Sequence, residues 1–122
     1  MSAHEHAALP DLRGLESSRA RVEGTQYRPN DHERMSVGDR MYVLRREPRN
    51  QRDASAIAVY ARGRAVGYVS TARAAVIAPL LDRLGGAAVV NGIGTDTDSS
   101  RLWVELPEPA VLDDFVREYE TA

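Results

Sequence analysis

The chain has 122 residues, a hydrophobic fraction of 43% and a formal charge of −2, the profile of one globular domain. It has no cysteine, which excludes a disulfide framework, thiolate chemistry and any cysteine-based zinc site. Its apolar stretches fall far short of the roughly 20 residues that span a membrane, and its polar start lacks the apolar core of a signal peptide, so a cytoplasmic protein with no membrane partner is expected.

The net charge conceals a segregation. Residues 21–73 carry 11 arginines against six acids, a balance of +5, whereas residues 74–122 carry three arginines against nine acids, a balance of −6. If space follows sequence, one face attracts phosphate and the other repels it; mutual neutralisation is the plainer alternative. All 16 basic residues are arginine, a usage that a GC-rich genome explains without selection for guanidinium chemistry.

In chain order, residues 1–18 read as a flexible tail, with Leu9, Leu12 and Leu15 spaced for a short helical turn. Residues 20–28 read as a first strand with Val22 facing inward, and residues 29–38 as loop around Pro29-Asn30-Asp31. Met41–Leu44 form a second strand, and a polar loop, Arg45–Ser55, follows. Ile57–Tyr60 and Ala65–Val69, joined across Gly63, carry a hairpin signal. Ser70 or Thr71 then caps a helix to about Leu84, with Val76, Ile77, Leu80, Leu81 and Leu84 as its apolar stripe. Pro79 predicts a break or kink inside it, and Gly85-Gly86 ends it. Ala87–Ile93 and Arg101–Leu106 read as a second hairpin, and Ala110–Tyr119 as a final helix with Asp113-Asp114 near its first turn. Strand and helix do not alternate, so a parallel sheet is not expected. The order predicts a mainly β fold with α insertions: a small OB-like or SH3-like antiparallel barrel with an inserted helix and a C-terminal helix, forming one domain over residues 19–122.

No catalytic set emerges. Phosphate-loop and dinucleotide fingerprints are missing, Ser70 has no histidine that sequence can place beside it, and Asp96 and Asp98 lack the spacing of a calcium loop. His4, His6 and His32 do not supply the about four convergent ligands of a structural zinc site. The chain is therefore expected to be a binding module without metal or cofactor, and not an enzyme. The strongest signal is the loop. Arg45, Arg46, Arg49 and Arg52 offer guanidinium forks that match phosphate oxygens. With Tyr27 and Tyr68 nearby they would form a groove where bases stack and phosphates pair, as single-stranded nucleic acid requires. A solvated charged face with half-buried tyrosines is the structural alternative. Asp53 can cap the loop or accept a ligand hydroxyl, and Asn50 can hold a turn with its side chain. Pro48 fixes its own φ and restricts Glu47, so the loop is partly preorganised.

The pattern Gly24-x-x-Tyr27, Gly38-Asp39 before an apolar strand, Arg46-Glu47-Pro48-x-Asn50-x-x-Asp53-x-x-Ala56-Ile57-x-Val59, and Val66-Gly67-Tyr68-Val69 before a helix with Leu80-Leu81 closely resembles the HIRAN domain over about residues 20–92. The resemblance implies a modified OB-like barrel. It also implies a short independent protein of the bacterial kind, other members being fused to helicase and ubiquitin-ligase machinery in eukaryotes. The best understood version captures the 3′ end of single-stranded DNA and assists remodelling of stalled replication forks. Its first-strand stacking aromatic matches Tyr27, and its hydroxyl-reading loop aspartate matches Asp53. The arginine before the aromatic is Gln26 here, the second stacking aromatic is Arg52, and Tyr68 stands near the end of the pocket.

The expected interface is thus Tyr27, Arg28, Arg45, Arg46, Arg49, Asn50, Arg52, Asp53, Tyr68 and Arg73. Its partner would be single-stranded DNA or a DNA 3′ end, in replication or repair. The competing expectation is a protein-interaction or accessory module that docks a helicase or nuclease, with the acidic C-terminal part as the contact.

Overall fold

Alternation of side chains along each strand decides what the sheet encloses. The computed structural model describes residues 9–23, 41–61, 63–95 and 102–121. Among these residues, six strands form one antiparallel sheet: β1 (Ser17–Arg21), β2 (Met41–Arg46), β3 (Ile57–Ala61), β4 (Arg64–Tyr68), β5 (Ala87–Thr95) and β6 (Leu102–Pro107), in the order β1-β6-β5-β2-β3-β4. Helix α1 (Thr71–Arg83) is inserted between β4 and β5, and α2 (Pro109–Thr121) follows β6. The fold is therefore a curled antiparallel half-barrel with an inserted and a C-terminal helix.

The inner face collects Tyr42 and Leu44 of β2, Ile57 and Val59 of β3, Ala88 and Val90 of β5, and Leu102, Val104 and Leu106 of β6. Burying each large apolar side chain contributes about 1.5–3 kcal/mol. Tyr42 is the largest of the fully buried side chains, and its ring lies against Gly92 of β5. A Cβ at Gly92 would stand 2.7 Å from Tyr42 Cζ and closer still to the ring edge, so only glycine fits there. The two edges of the sheet meet at one residue pair. Glu23, just beyond β1, and Tyr68 of β4 exchange backbone bonds of 2.8 and 2.7 Å, which draws the sheet toward a closed barrel.

Leu9–Ser18, expected as tail, take part in this architecture. Val89 donates its amide to the Pro10 carbonyl and accepts from the Leu12 amide, along a stretch of β5 that β6 does not reach. Leu12 is buried in the main core, while Leu9 packs with Val43, Ala87, Val89 and Tyr60 on the outer face. The first strand accordingly begins at Ser17 rather than residue 20. Val22 is buried in the core, as expected, whereas residues 24–28 of the predicted first strand, with Gln26, Tyr27 and Arg28, the 29–38 loop, the Asp96 and Asp98 loop and the three histidines lie outside the described residues.

Ser70 caps α1, its hydroxyl accepting from the Arg73 amide. The expected break at Pro79 does not occur. One helix runs through it, because Pro79 and Ala75, whose carbonyl loses its usual donor, both lie on the exposed side, within reach of solvent. The stripe also differs: Val76 is exposed, and Ala74 and Ala78 join Ile77 and Leu81 against the barrel. The small alanines bring the helix close, a choice that hydrophobicity alone does not reveal. Gly85 and Gly86, with φ of 97° and 89°, end the helix in the left-handed conformation that favours glycine. Asp113 sits in the second turn of α2 and pairs with Arg83 of α1 and Arg117 of its own helix.

Candidate nucleic-acid interface

The loop between β2 and β3 is built almost wholly from its own polar groups. Glu47 and Ala56 close its base, the Glu47 amide donating to the Ala56 carbonyl at 3.0 Å. Asn50 organises the tip. Its Oδ1 accepts from the amides of Arg52 (2.9 Å) and Asp53 (3.1 Å), and its Nδ2 donates to Glu47 Oε1 at 3.1 Å. Asp53 Oδ1 accepts from the Ser55 amide at 2.8 Å, and the Asp53 carbonyl accepts from the Ala56 amide at 3.0 Å. These are the side-chain turns that Asn and Asp make when they replace backbone partners.

The four loop arginines divide sharply. Arg46 points along the loop: Nη1 donates to the Ala56 carbonyl (2.8 Å), Nη2 to the Ala54 carbonyl (3.0 Å), and Nε to Asp82 Oδ1 on α1 (2.8 Å). Only 9% of its side chain is exposed, so its guanidinium serves as a strut between loop and helix. Arg45, one residue earlier, belongs to the opposite face of the strand and lies over the Tyr60 ring at 5.8 Å. Arg49 and Arg52 are exposed on the loop itself, and neither guanidinium has a partner among the described residues.

This loop forms one wall of an open groove of about 920 Å³. Asn50, Gln51, Arg52 and Asp53 line that wall; Ala65, Val66, Gly67 and Tyr68 of β4, then Val69, line the other; and Thr71 stands at the end. A β-bulge between Val59 and Tyr60 shifts the β3–β4 register here. Val66 is buried in the core, whereas Ala65 is exposed and Tyr68 half-buried, so the irregularity aims the tyrosine at the groove. The Tyr68 hydroxyl donates to Glu47 Oε1 at 2.8 Å. That bond to a carboxylate, aided by burial, holds the Tyr68 phenol above its ordinary pKa. Asp53 keeps its second carboxylate oxygen without a partner among the described residues. The first turn of α1 holds no acid, so the positive end of the helix dipole borders the groove at Thr71.

The expected residues are thus only partly brought together. Asn50, Arg52, Asp53 and Tyr68 line one groove, and Arg49 is exposed on the same loop. Arg73 lies in the first turn of α1 and donates from Nη1 to Ser18 Oγ at 3.0 Å. Arg46 supports the loop from behind, and Arg45 sits beside Tyr60. Glu47 and Thr71 were not singled out from the sequence. A glutamate held before a proline in an arginine-rich loop is a signal for the first; the position one past the Ser70 cap is a signal for the second. Among the described residues, no group of three or more His, Cys, Asp or Glu could hold a metal ion.

A family model described as the HIRAN domain matches residues 15–107. No curated protein matches the chain. Among solved structures, the crystal structure of the HIRAN domain of human HLTF is similar, with a TM-score of 0.54 and 22% sequence identity over 84% of this chain and 87% of that one. At that identity the likeness concerns the fold.

Proposed function

The chain belongs to the HIRAN domain family, and from that premise we propose that it is a non-catalytic module that binds single-stranded DNA at a 3′ end, in replication or repair. The observation that carries this reading is the half-satisfied Asp53. One carboxylate oxygen fixes the turn through Ser55. The other is left to accept a hydrogen bond in a groove walled by an arginine and a tyrosine. A terminal 3′ hydroxyl is a donor suited to it, and a 3′ phosphate, which is anionic, is repelled by it.

The remaining parts follow from chemistry. The Arg49 and Arg52 guanidiniums pair with phosphates next to the terminus, and Arg52 can also stack on a base. The free end of the Arg73 fork and the N-terminus of α1 extend the favourable field along the strand. Tyr68 contributes its ring to the groove wall. Tyr27 is assigned by resemblance to the terminal base, and Arg28 would extend the groove. They follow four and five residues after Glu23, which is bonded to Tyr68 at the rim of the groove.

Fluorescence anisotropy with a short labelled single-stranded DNA tests the reading. Affinity should fall steeply between 50 and 200 mM salt, as phosphate neutralisation requires. Tyr27→Ala should weaken binding by roughly 1–3 kcal/mol, the worth of one base–aromatic stack. If neither Tyr27→Ala nor Asp53→Ala alters affinity, the groove is not the binding site.

A further inference from the structure

We infer that Glu47 is the positioning residue of the groove, the group that sets the mutual aim of Tyr68 and the Asn50–Asp53 turn and thereby the discrimination between hydroxyl and phosphate termini. The inference rests on the end-binding reading above and adds to it a residue that does not line the groove.

The geometry is specific. A single oxygen, Glu47 Oε1, accepts from two groove-lining side chains on separate elements: Asn50 Nδ2 of the loop at 3.1 Å and Tyr68 Oη of β4 at 2.8 Å. The bonds continue inward on the loop side. Asn50 Oδ1 holds the amides of Arg52 and Asp53, and Asp53 Oδ1 holds the Ser55 amide. One carboxylate thus joins opposite walls of the groove through a continuous relay that ends at the Asp53 carboxylate, whose second oxygen has no partner among the described residues. Carboxylate acceptors make stronger bonds than neutral ones, so this joint is firmer than the amide-oxygen bonds at Asn50. Glu47 is itself held, since its amide bonds to Ala56 and Pro48 restricts its backbone.

The test compares wild type with Glu47→Ala, Glu47→Gln and Tyr68→Phe in two measurements. The first, amide hydrogen exchange without DNA, reads the relay directly. In Glu47→Ala, the Arg52 and Asp53 amides should exchange about tenfold faster, while amides of the β2–β5 ladder keep wild-type protection. The second is the ratio of affinities for otherwise identical strands ending in a 3′ hydroxyl or a 3′ phosphate. That ratio should fall about tenfold in Glu47→Ala, and in the same direction in Tyr68→Phe, which loses only the bond to Glu47. Glu47→Gln, whose carbonyl oxygen can accept from both donors, should restore most of both properties. A residue that merely stabilised the fold would lower the melting temperature and leave the ratio untouched. Unchanged ratios in both Glu47→Ala and Tyr68→Phe overturn the inference. A wild-type chain with no preference between the termini overturns the end-binding reading itself, and the exchange measurement still reports whether the relay exists.

Discussion

The 47–56 loop and the α1–α2 seam use the same charged residue types to opposite effect. Behind the loop, Arg46 at the end of β2 is enclosed and spends its donors on two backbone carbonyls and Asp82. At the seam, Arg83 reaches Glu120 and Asp113, and Asp113 reaches Arg117; the arginines and Glu120 are exposed and Asp113 is partly so. Water screens the seam pairs, so their attraction is small after the cost of ordering long side chains. Charge fixes shape here where its hydrogen bonds are withdrawn from water. That separates the part of the molecule suited to recognising a ligand from the part that keeps two helices soluble and adjacent.

The largest expected effect comes from breaking the enclosed side. Arg46→Ala leaves the Ala56 carbonyl, which is buried, without its charged donor and frees the loop from α1. It should cost roughly 2–3 kcal/mol of stability, read as a lower urea midpoint. Tyr68→Ala removes a wall of the groove and should weaken strand binding by about 1–3 kcal/mol in an anisotropy titration. Asp53→Asn should weaken binding to a hydroxyl terminus by about 1–1.5 kcal/mol and narrow the gap to a phosphate terminus, because the repulsive charge disappears. A smaller effect lies in the alkaline range. The folded Tyr68 phenol has a raised pKa, so its contribution to stability is fully present below the ordinary phenol value and is lost as pH rises through the raised one. Ultraviolet titration should show Tyr68 ionising above the ordinary phenol range, and Glu47→Ala should lower its pKa by removing the carboxylate acceptor. The smallest effect belongs to the seam: Glu120→Ala should leave the urea midpoint unmoved within error. A midpoint shift there matching that of Arg46→Ala would erase the contrast between the two regions.

The sequence made some of this legible for local reasons. Ser70 as cap, the Gly63 hairpin and the Gly85-Gly86 stop each depend on neighbours within a few residues, and each stands where expected. Leu12 did not announce its burial, because its spacing with Leu9 and Leu15 suggests only a short helical turn; its place is set by β5, nearly 80 residues away. Ser17-Ser18-Arg19 form a strand with little intrinsic preference, since pairing with β6 overrides propensity. The loop motif was readable as a cluster, yet not the division of labour inside it. Arg45 and Arg46 fall on opposite faces through strand alternation alone. The retention of Arg46 by Ala54, Ala56 and Asp82 depends on a helix 36 residues on. Glu47 is the sharpest case: one of its partners is three residues away and the other 21, across a bulge that no pattern foretold.

The central claim, that this groove reads a strand terminus through Asp53, is tested most directly by anisotropy titration of the wild-type chain. Two single-stranded DNAs would be compared at the same moderate salt, identical except for a 3′ hydroxyl or a 3′ phosphate. Binding to the hydroxyl strand should be at least tenfold tighter. Equal affinity for the two strands would contradict it, and would mean that the groove follows the phosphate backbone without reading where the strand ends.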